Sequence, residues 1–375
     1  MIETGTALVT GSLGISRKPT SWQDHLRAGL LWVETAQNAD LSGGVPAYYD
    51  PVRSRWLPPY PETTGYLIPT FLEAAAALGH AGLDRAVRMG DFLLRVRTAE
   101  GGVGHWSAAD PSEIRPIVFD TGQVILGWNA LWRQTKDDRY RTAALEATQW
   151  LASVQDPDGA WRSHQYLDVA KTIDARVASA MLETAKLHDD QAGVPWARRH
   201  LEWVLRQRLP NGFFTNAAFH PGSNPSLHTI AYTIDGTLSF AIETAWNEAI
   251  EMAVESARRL LNLHQSRGRL HAAYADDWKP TSRTRCLVGE CQTALIWLAC
   301  ADVTGESVFR SGAVALLRGV ASTQHLTTGV DGVRGGIAGS WPIWGSYERF
   351  KYPNWSVKFF MDGLLALGEA QWETE

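Results

Sequence analysis

The sequence predicts an all-α fold, a single (α/α)6 toroid in which six helical hairpins close into a ring. Three observations lead there. Apolar residues recur at helical spacing through nearly everything beyond residue 20. A glycine turn returns six times, with Gly44, Gly102, Gly159, Gly212, Gly268 and Gly336 spaced 53 to 68 residues apart, and so regular a period marks a repeat architecture. The first and last units keep apolar helices, whereas an open solenoid ends in polar caps.

Residues 1–21 read as an N-terminal extension and 22–375 as one domain. In order, periodicity and polar punctuation predict the helix pairs Trp22–Asn38 with Gly65–Leu78, Leu83–Thr98 with Thr121–Gln134, and Arg139–Gln155 with Ala175–His188. The next three are Pro195–Arg208 with Thr229–Trp246, Glu248–Gln265 with Glu290–Val303, and Ser307–Gln324 with Trp355–Trp372. Each first helix runs into a Gly turn followed by an aromatic or apolar residue, as in Asp158-Gly159-Ala160-Trp161 and Asn211-Gly212-Phe213. Gln155, Gln207, Gln265 and Gln324 stand shortly before their turns, which points to duplication. The second helices are apolar on most faces, as in TALIWLAC and VKFFMDGLLAL, and belong inside; the first helices keep a charged face and belong outside.

Composition narrows the function. The net charge of −5 and the absence of Lys/Arg runs supply no field for nucleic acid. No apolar run approaches the roughly 18 residues of a membrane span, and the N-terminal stretch lacks the charged and apolar regions of a signal peptide. Three cysteines crowded into one segment, Cys286, Cys291 and Cys300, argue for buried thiols in a reducing, cytoplasmic setting. Their C-x4-C spacing is a poor ligand set, so neither metal nor cofactor is expected.

Polar residues gather where each inner helix begins: Glu62, Asp120, Asp174, His228, Glu290 and Asn354. Any one could serve as an N-cap or a first-turn acid. As a set they would ring one funnel, because the loops before them carry exposed rings, among them Tyr60, His105 and Trp106. The segment 335–360 adds Trp341, Trp344, Tyr347 and Trp355. Aromatic faces beside carboxylates suit sugar rings, whose C–H faces stack while hydroxyls hydrogen-bond. Two carboxylates flanking a glycosidic bond supply the acid and the base or nucleophile, and Glu62 with Asp120, then Asp174, are the candidates. Arg176, Arg349 and Lys358 could hold a substrate carboxylate. With a uronic acid, His105, His228 or Tyr347 could instead remove the C5 proton, giving elimination or epimerisation.

At the turns, WLASVQDPDGAW (150–161) resembles the Gln/Trp repeat of α-toroid terpenoid cyclases and prenyltransferases, although their D-x-D-D acid motif is missing. YPETTGYLIPT, FDTGQ, GGIAGSWPIWG and PNWSVKFF together resemble uncharacterised proteins encoded with polysaccharide-assembly enzymes. The architecture is similar to that of the six-hairpin glycosidases, uronate lyases and glucuronyl C5-epimerases. The resemblance implies a glycan-active enzyme on an oligo- or polysaccharide and does not choose the reaction; the carboxylate pair puts a glycoside hydrolase on an acidic one first, with a polysaccharide lyase or glucuronyl C5-epimerase as the alternative. A prenyl-processing toroid and a non-catalytic glycan-binding module are the readings from other classes.

Overall fold

The structure is a computed structural model that describes residues 9–104 and 115–374. Among the described residues, twelve long helices alternate outside and inside the ring. The outer ones are α1 (Trp22–Asn38), α3 (Leu83–Arg95), α5 (Asp138–Ser153), α7 (Val194–Arg206), α9 (Asn247–Arg267) and α11 (Ser307–Ala321). The inner ones are α2 (Pro61–Ala77), α4 (Val118–Thr135), α6 (Ala175–His188), α8 (Leu227–Glu243), α10 (Leu287–Thr304) and α12 (Asn354–Leu367). Each inner helix packs on the next, and α12 packs back on α2, so the ring is closed. The (α/α)6 toroid expected from the repeat is the fold observed.

Burial follows sequence character. Inner α10 is buried without a break from Leu287 to Ala294, while outer α9 buries one stripe that includes Ala249, Ala253, Ala257 and Leu260. Four of the inner helices, α2, α4, α8 and α10, begin two to four residues earlier than periodicity alone suggests, α12 begins one residue earlier, and α6 begins where expected. Pro61 opens α2, because a proline at the first position has no amide proton to lose. The last inner helix stops at Leu367, not Trp372: Gly368 leaves helical geometry at φ +78, and α13 (Glu369–Thr374) turns away. That turn carries Trp372 onto His25 with ring centroids 5.7 Å apart and its Nε1 onto the Thr20 carbonyl at 3.0 Å.

The turn glycines hold the units together. Gly43, Gly101, Gly159, Gly212, Gly268 and Gly335 all have positive φ, between +69 and +98, so in the three Gly-Gly turns the first glycine makes the bend. Five of them also press on the following unit. A methyl added at Gly43, Gly101 or Gly159 would lie 2.8, 2.8 or 2.4 Å from a backbone oxygen of α3, α5 or α7, and one at Gly212 would touch Ser256 of α9. At Gly335 the contact is the Ala28 oxygen of α1, at 2.1 Å, and this contact joins the last unit to the first. Side chains finish the turns: Gln37 and Gln324 donate to the Gly43 and Gly335 carbonyls at 2.9 and 2.7 Å, and Ser256 donates to that of Gly212 at 2.7 Å.

Short strands tie the loops of one mouth together. β1 (Tyr48–Asp50) pairs antiparallel with β2 (Arg55–Trp56) and, across the ring seam, with β5 (Tyr352–Pro353). β3 (Arg285–Cys286) pairs with β4 (Ser340–Trp341). The N-terminal extension lies on the last loop, with the Ile343 amide donating to the Gly11 carbonyl at 3.1 Å. Among the described residues no helix is long and apolar enough to cross a membrane.

Candidate active site

The inner helices all point their N-termini toward the mouth built by these loops, and a cavity of about 410 Å³ opens there. On one wall, the early start of α2 puts Glu62 in its first turn, and Asp120 occupies the first turn of neighbouring α4. The Tyr60 hydroxyl lies 3.3 and 3.4 Å from the two oxygens of Asp120 and hydrogen-bonds Glu62 as well, so one phenol spans both carboxyls. Burial, and then the negative charge of Asp120, raise Glu62 well above its usual 4.5, while the Tyr60 hydrogen bond and the Arg176 charge pull the other way. Desolvation and a like charge both favour the neutral form. Glu62 therefore keeps its proton at pH values where an ordinary glutamate has lost it.

His228, in the first turn of α8, faces this pair across the cavity. Its Nδ1 lies 2.8 Å from Gln292 Oε1, so the proton sits on Nδ1 and Nε2 is an acceptor. Burial, helped by the Arg176 charge, pushes its pKa down to about 3. Tyr347 of the last loop and Trp355 in the first turn of α12 complete this side. The Trp355 Nε1 donates to the Tyr347 hydroxyl at 3.0 Å, and the Tyr347 ring stands 5.3 Å from that of His228. Lys351 also lines the cavity, 2.7 Å from Glu348 and 4.2 Å above the Tyr48 ring.

The structure thus gathers Tyr60, Glu62, Asp120, His228, Tyr347 and Trp355 around one space. It adds Tyr66 and Tyr232, which sequence reasoning missed. Each lies four residues beyond Glu62 or His228, one helical turn deeper on the same face, and that spacing was a usable signal.

Other candidates lie elsewhere. Asp174 is fully buried behind the wall, accepting from Gln165 Nε2 at 2.6 Å; burial raises its pKa, with the Lys171 charge opposing. Glu290 is locked to Arg285 at 2.9 and 2.5 Å and does not reach the cavity. Trp341 is buried against Gly11 of the extension. Trp344 is 44% exposed and donates to the Ser12 carbonyl at 3.0 Å, and Arg349 points to solvent. Neither faces the substrate space. His105 and Trp106 lie outside the described residues.

Arg176 and Lys358 face the opposite basin, of about 680 Å³, which runs toward the C-terminal ends of the inner helices. Their charges are taken: Arg176 pairs with Asp235 and donates to Gln123 at 3.1 Å, and Lys358 pairs with Asp362. Although this basin is larger, its cations are matched by acids, as in Arg133 with Glu183 at 2.7 Å and Lys186 with Glu243 at 2.5 Å. Tyr66 borders both spaces.

No family model matches the chain, and no curated protein matches it. Solved structures do. The unsaturated glucuronyl hydrolase from Bacillus sp. GL1, responsible for the degradation of glycosaminoglycan, superposes with a TM-score of 0.73 at 18% identity, covering 94% of this chain and 98% of that one. A sugar epimerase from a ruminal bacterium gives 0.70 at 14%, covering 91% and 98%. A polysaccharide lyase gives 0.64 at 8%, covering 92% and 96%. At these identities the likeness speaks for the fold alone, the (α/α)6 toroid.

Proposed function

We propose that this protein is a glycoside hydrolase acting on an acidic oligo- or polysaccharide through Glu62 and Asp120. The observation that carries the reading is the carboxyl pair spanned by Tyr60 inside a ring-lined cavity, where burial and the Asp120 charge favour the protonated form of Glu62. In the step it supports, Glu62 gives its proton to the glycosidic oxygen as the bond to the anomeric carbon breaks. Asp120 faces the positive charge that develops there. Water adds its hydroxyl to that carbon and passes its proton to Asp120. Tyr60, in contact with both carboxyls, offers the path by which the proton returns to Glu62.

Elimination or epimerisation would need a base for the C5 proton. A catalytic base works best with a pKa near the operating pH. Of the candidates among the described residues, His228, lowered to about 3, is a weak base, and burial raises Tyr347 well above its usual 10, which disfavours its phenolate. A prenyl substrate would want an apolar funnel, whereas Glu62, Asp120, Glu348 and Lys351 all line this one. Three buried free thiols support a reducing, cytoplasmic location.

The direct test is to incubate the protein with uronate-containing oligosaccharides while following reducing ends and absorbance near 235 nm. New reducing ends without absorbance support hydrolysis; an unsaturated product, or none from any substrate, overturns it. Arg176 and Lys358 face away, and Lys171 is engaged with loop carbonyls, so among the described residues Lys351 is the cavity cation for a substrate carboxylate, which would compete with Glu348 for it at 2.7 Å. Lys351→Met should raise KM roughly tenfold or more for a uronate-ended substrate, the scale of a lost charge-assisted hydrogen bond. The neutral counterpart should change far less.

A further inference from the structure

The mouth of the cavity carries rings that the acid pair does not need. Tyr166, on the third loop, is 42% exposed, and Phe219, on the fourth, is 38% exposed; both line the cavity. Tyr166 meets His220 nearly at right angles, with centroids 5.8 Å apart. Phe219 lies 6.4 Å from His228, so the lip runs continuously into the site.

The backbone under Tyr166 is strained. His164, Leu167 and Asp168 have φ of +60, +66 and +49, a left-handed region that costs side-chain-bearing residues about 1–3 kcal/mol each unless the surroundings hold them. They are held. The Val118 amide donates to the His164 carbonyl at 2.9 Å, the Asp168 amide donates to the Gln165 carbonyl at 3.2 Å, and Arg115 pairs with Asp168 at 2.9 Å. Lys171, buried, donates its amine to the Tyr166 carbonyl and to that of Val169 at 3.3 Å. A buried amine is costly, and this one fixes a turn whose exposed product is an aromatic ring.

We propose that Tyr166 and Phe219 form a second sugar subsite at the cavity mouth, stacking the C–H face of an uncharged pyranose on the leaving-group side of the bond that is cut. The substrate is then a disaccharide or longer chain whose acidic unit enters beside Lys351. Charge supports the assignment: Arg115 and Asp168 neutralise each other at the lip, and the Lys171 amine is engaged with loop carbonyls, so neither side chain offers a free cation to a second acidic sugar. The inference rests on the hydrolase reading for the identity of the leaving group, and on the rings alone for binding. Lys171 is a positioning residue that acts through Tyr166.

The test compares two substrates with the same acidic unit, a glycosyl fluoride, whose leaving group is one atom, and a disaccharide with a neutral second sugar. Tyr166→Ala and Phe219→Ala should each lower kcat/KM for the disaccharide roughly tenfold more than for the fluoride, the scale of one aromatic stacking contact. Lys171→Met should reproduce the Tyr166→Ala pattern, and the double variant should be no worse than either single one. Equal losses on both substrates, or no loss on the disaccharide, overturn the subsite. Should the wild type cleave neither, the hydrolase reading falls, and the lip is then judged by titrating cellobiose by NMR. Weaker binding to Tyr166→Ala keeps the subsite, and unchanged or absent binding removes it.

Discussion

Glu62→Gln should lose about 10²- to 10⁴-fold in kcat on an acidic oligosaccharide while KM moves only a few-fold, because the amide fills the same space but has no proton to give the leaving oxygen. Asp120→Asn should fall comparably. In addition, its residual activity should decline at lower pH on the alkaline side, since removing the Asp120 charge takes away one of the two causes that raise Glu62. A glycan-binding module would show neither loss. Stability should move in the opposite direction from activity. A buried carboxyl with a raised pKa binds more protons folded than unfolded between 4.5 and its raised value, so stability falls as pH rises through that window. Glu62→Gln abolishes the penalty, and its Tm should exceed that of the wild type by about 1–3 °C at pH 8 and match it near pH 4. Thermal scans at the two pH values check the sign. A Tm gain that is the same at both would show that the carboxyl is not strained by ionisation.

What the sequence disclosed and what it concealed divide along physical lines. The ring was legible because its repeat rests on local requirements: a glycine at positive φ at the end of each outer helix, and apolar residues around each inner one. Glu62, Asp120 and His228 were legible because a helix start fixes where its first side chains lie. The same rule extends one turn further down. Lys358 is four residues beyond Asn354 and so falls below the mouth, where Asp362, four residues on, takes its charge. Arg176, expected to hold a substrate carboxylate, follows Asp174 by two residues. A 3-10 turn, Thr172–Asp174, closes before α6 begins, and the side chain leaves toward Asp235 of α8. Trp341 and Trp344 looked like funnel wall because Gly-rich loops with rings so often are. Their partners are Gly11 and Ser12, more than 300 residues away in the chain, and no local pattern announces such a pairing. Lys171 and Gln165 escaped notice for a similar reason: their work is to hold a loop, and loop geometry leaves little trace in residue type.

Gly335→Ala should be among the most damaging single changes in the molecule although it lies away from the chemistry. Two penalties act at once. The residue sits at φ +82, where a side chain costs roughly 1–2 kcal/mol. Its new methyl would stand 2.1 Å from the Ala28 oxygen, so the turn or α1 must move, and overpacking of this kind costs about 1–3 kcal/mol. The displacement falls on the seam, where Gln324 joins the Gly335 carbonyl to His25 of α1 at 2.7 and 2.6 Å. Gly268→Ala is the matched control. Its φ is +69, but nothing lies within 4 Å of the added methyl, so only the backbone penalty applies. Denaturant melts should therefore separate the two variants by about 1–3 kcal/mol. Hydrogen exchange in Gly335→Ala should rise first in α1 and α12, where the ring was joined. Equal losses in the two variants would mean that the turn glycines serve only their own bends and that ring closure owes nothing to the contact with the next unit.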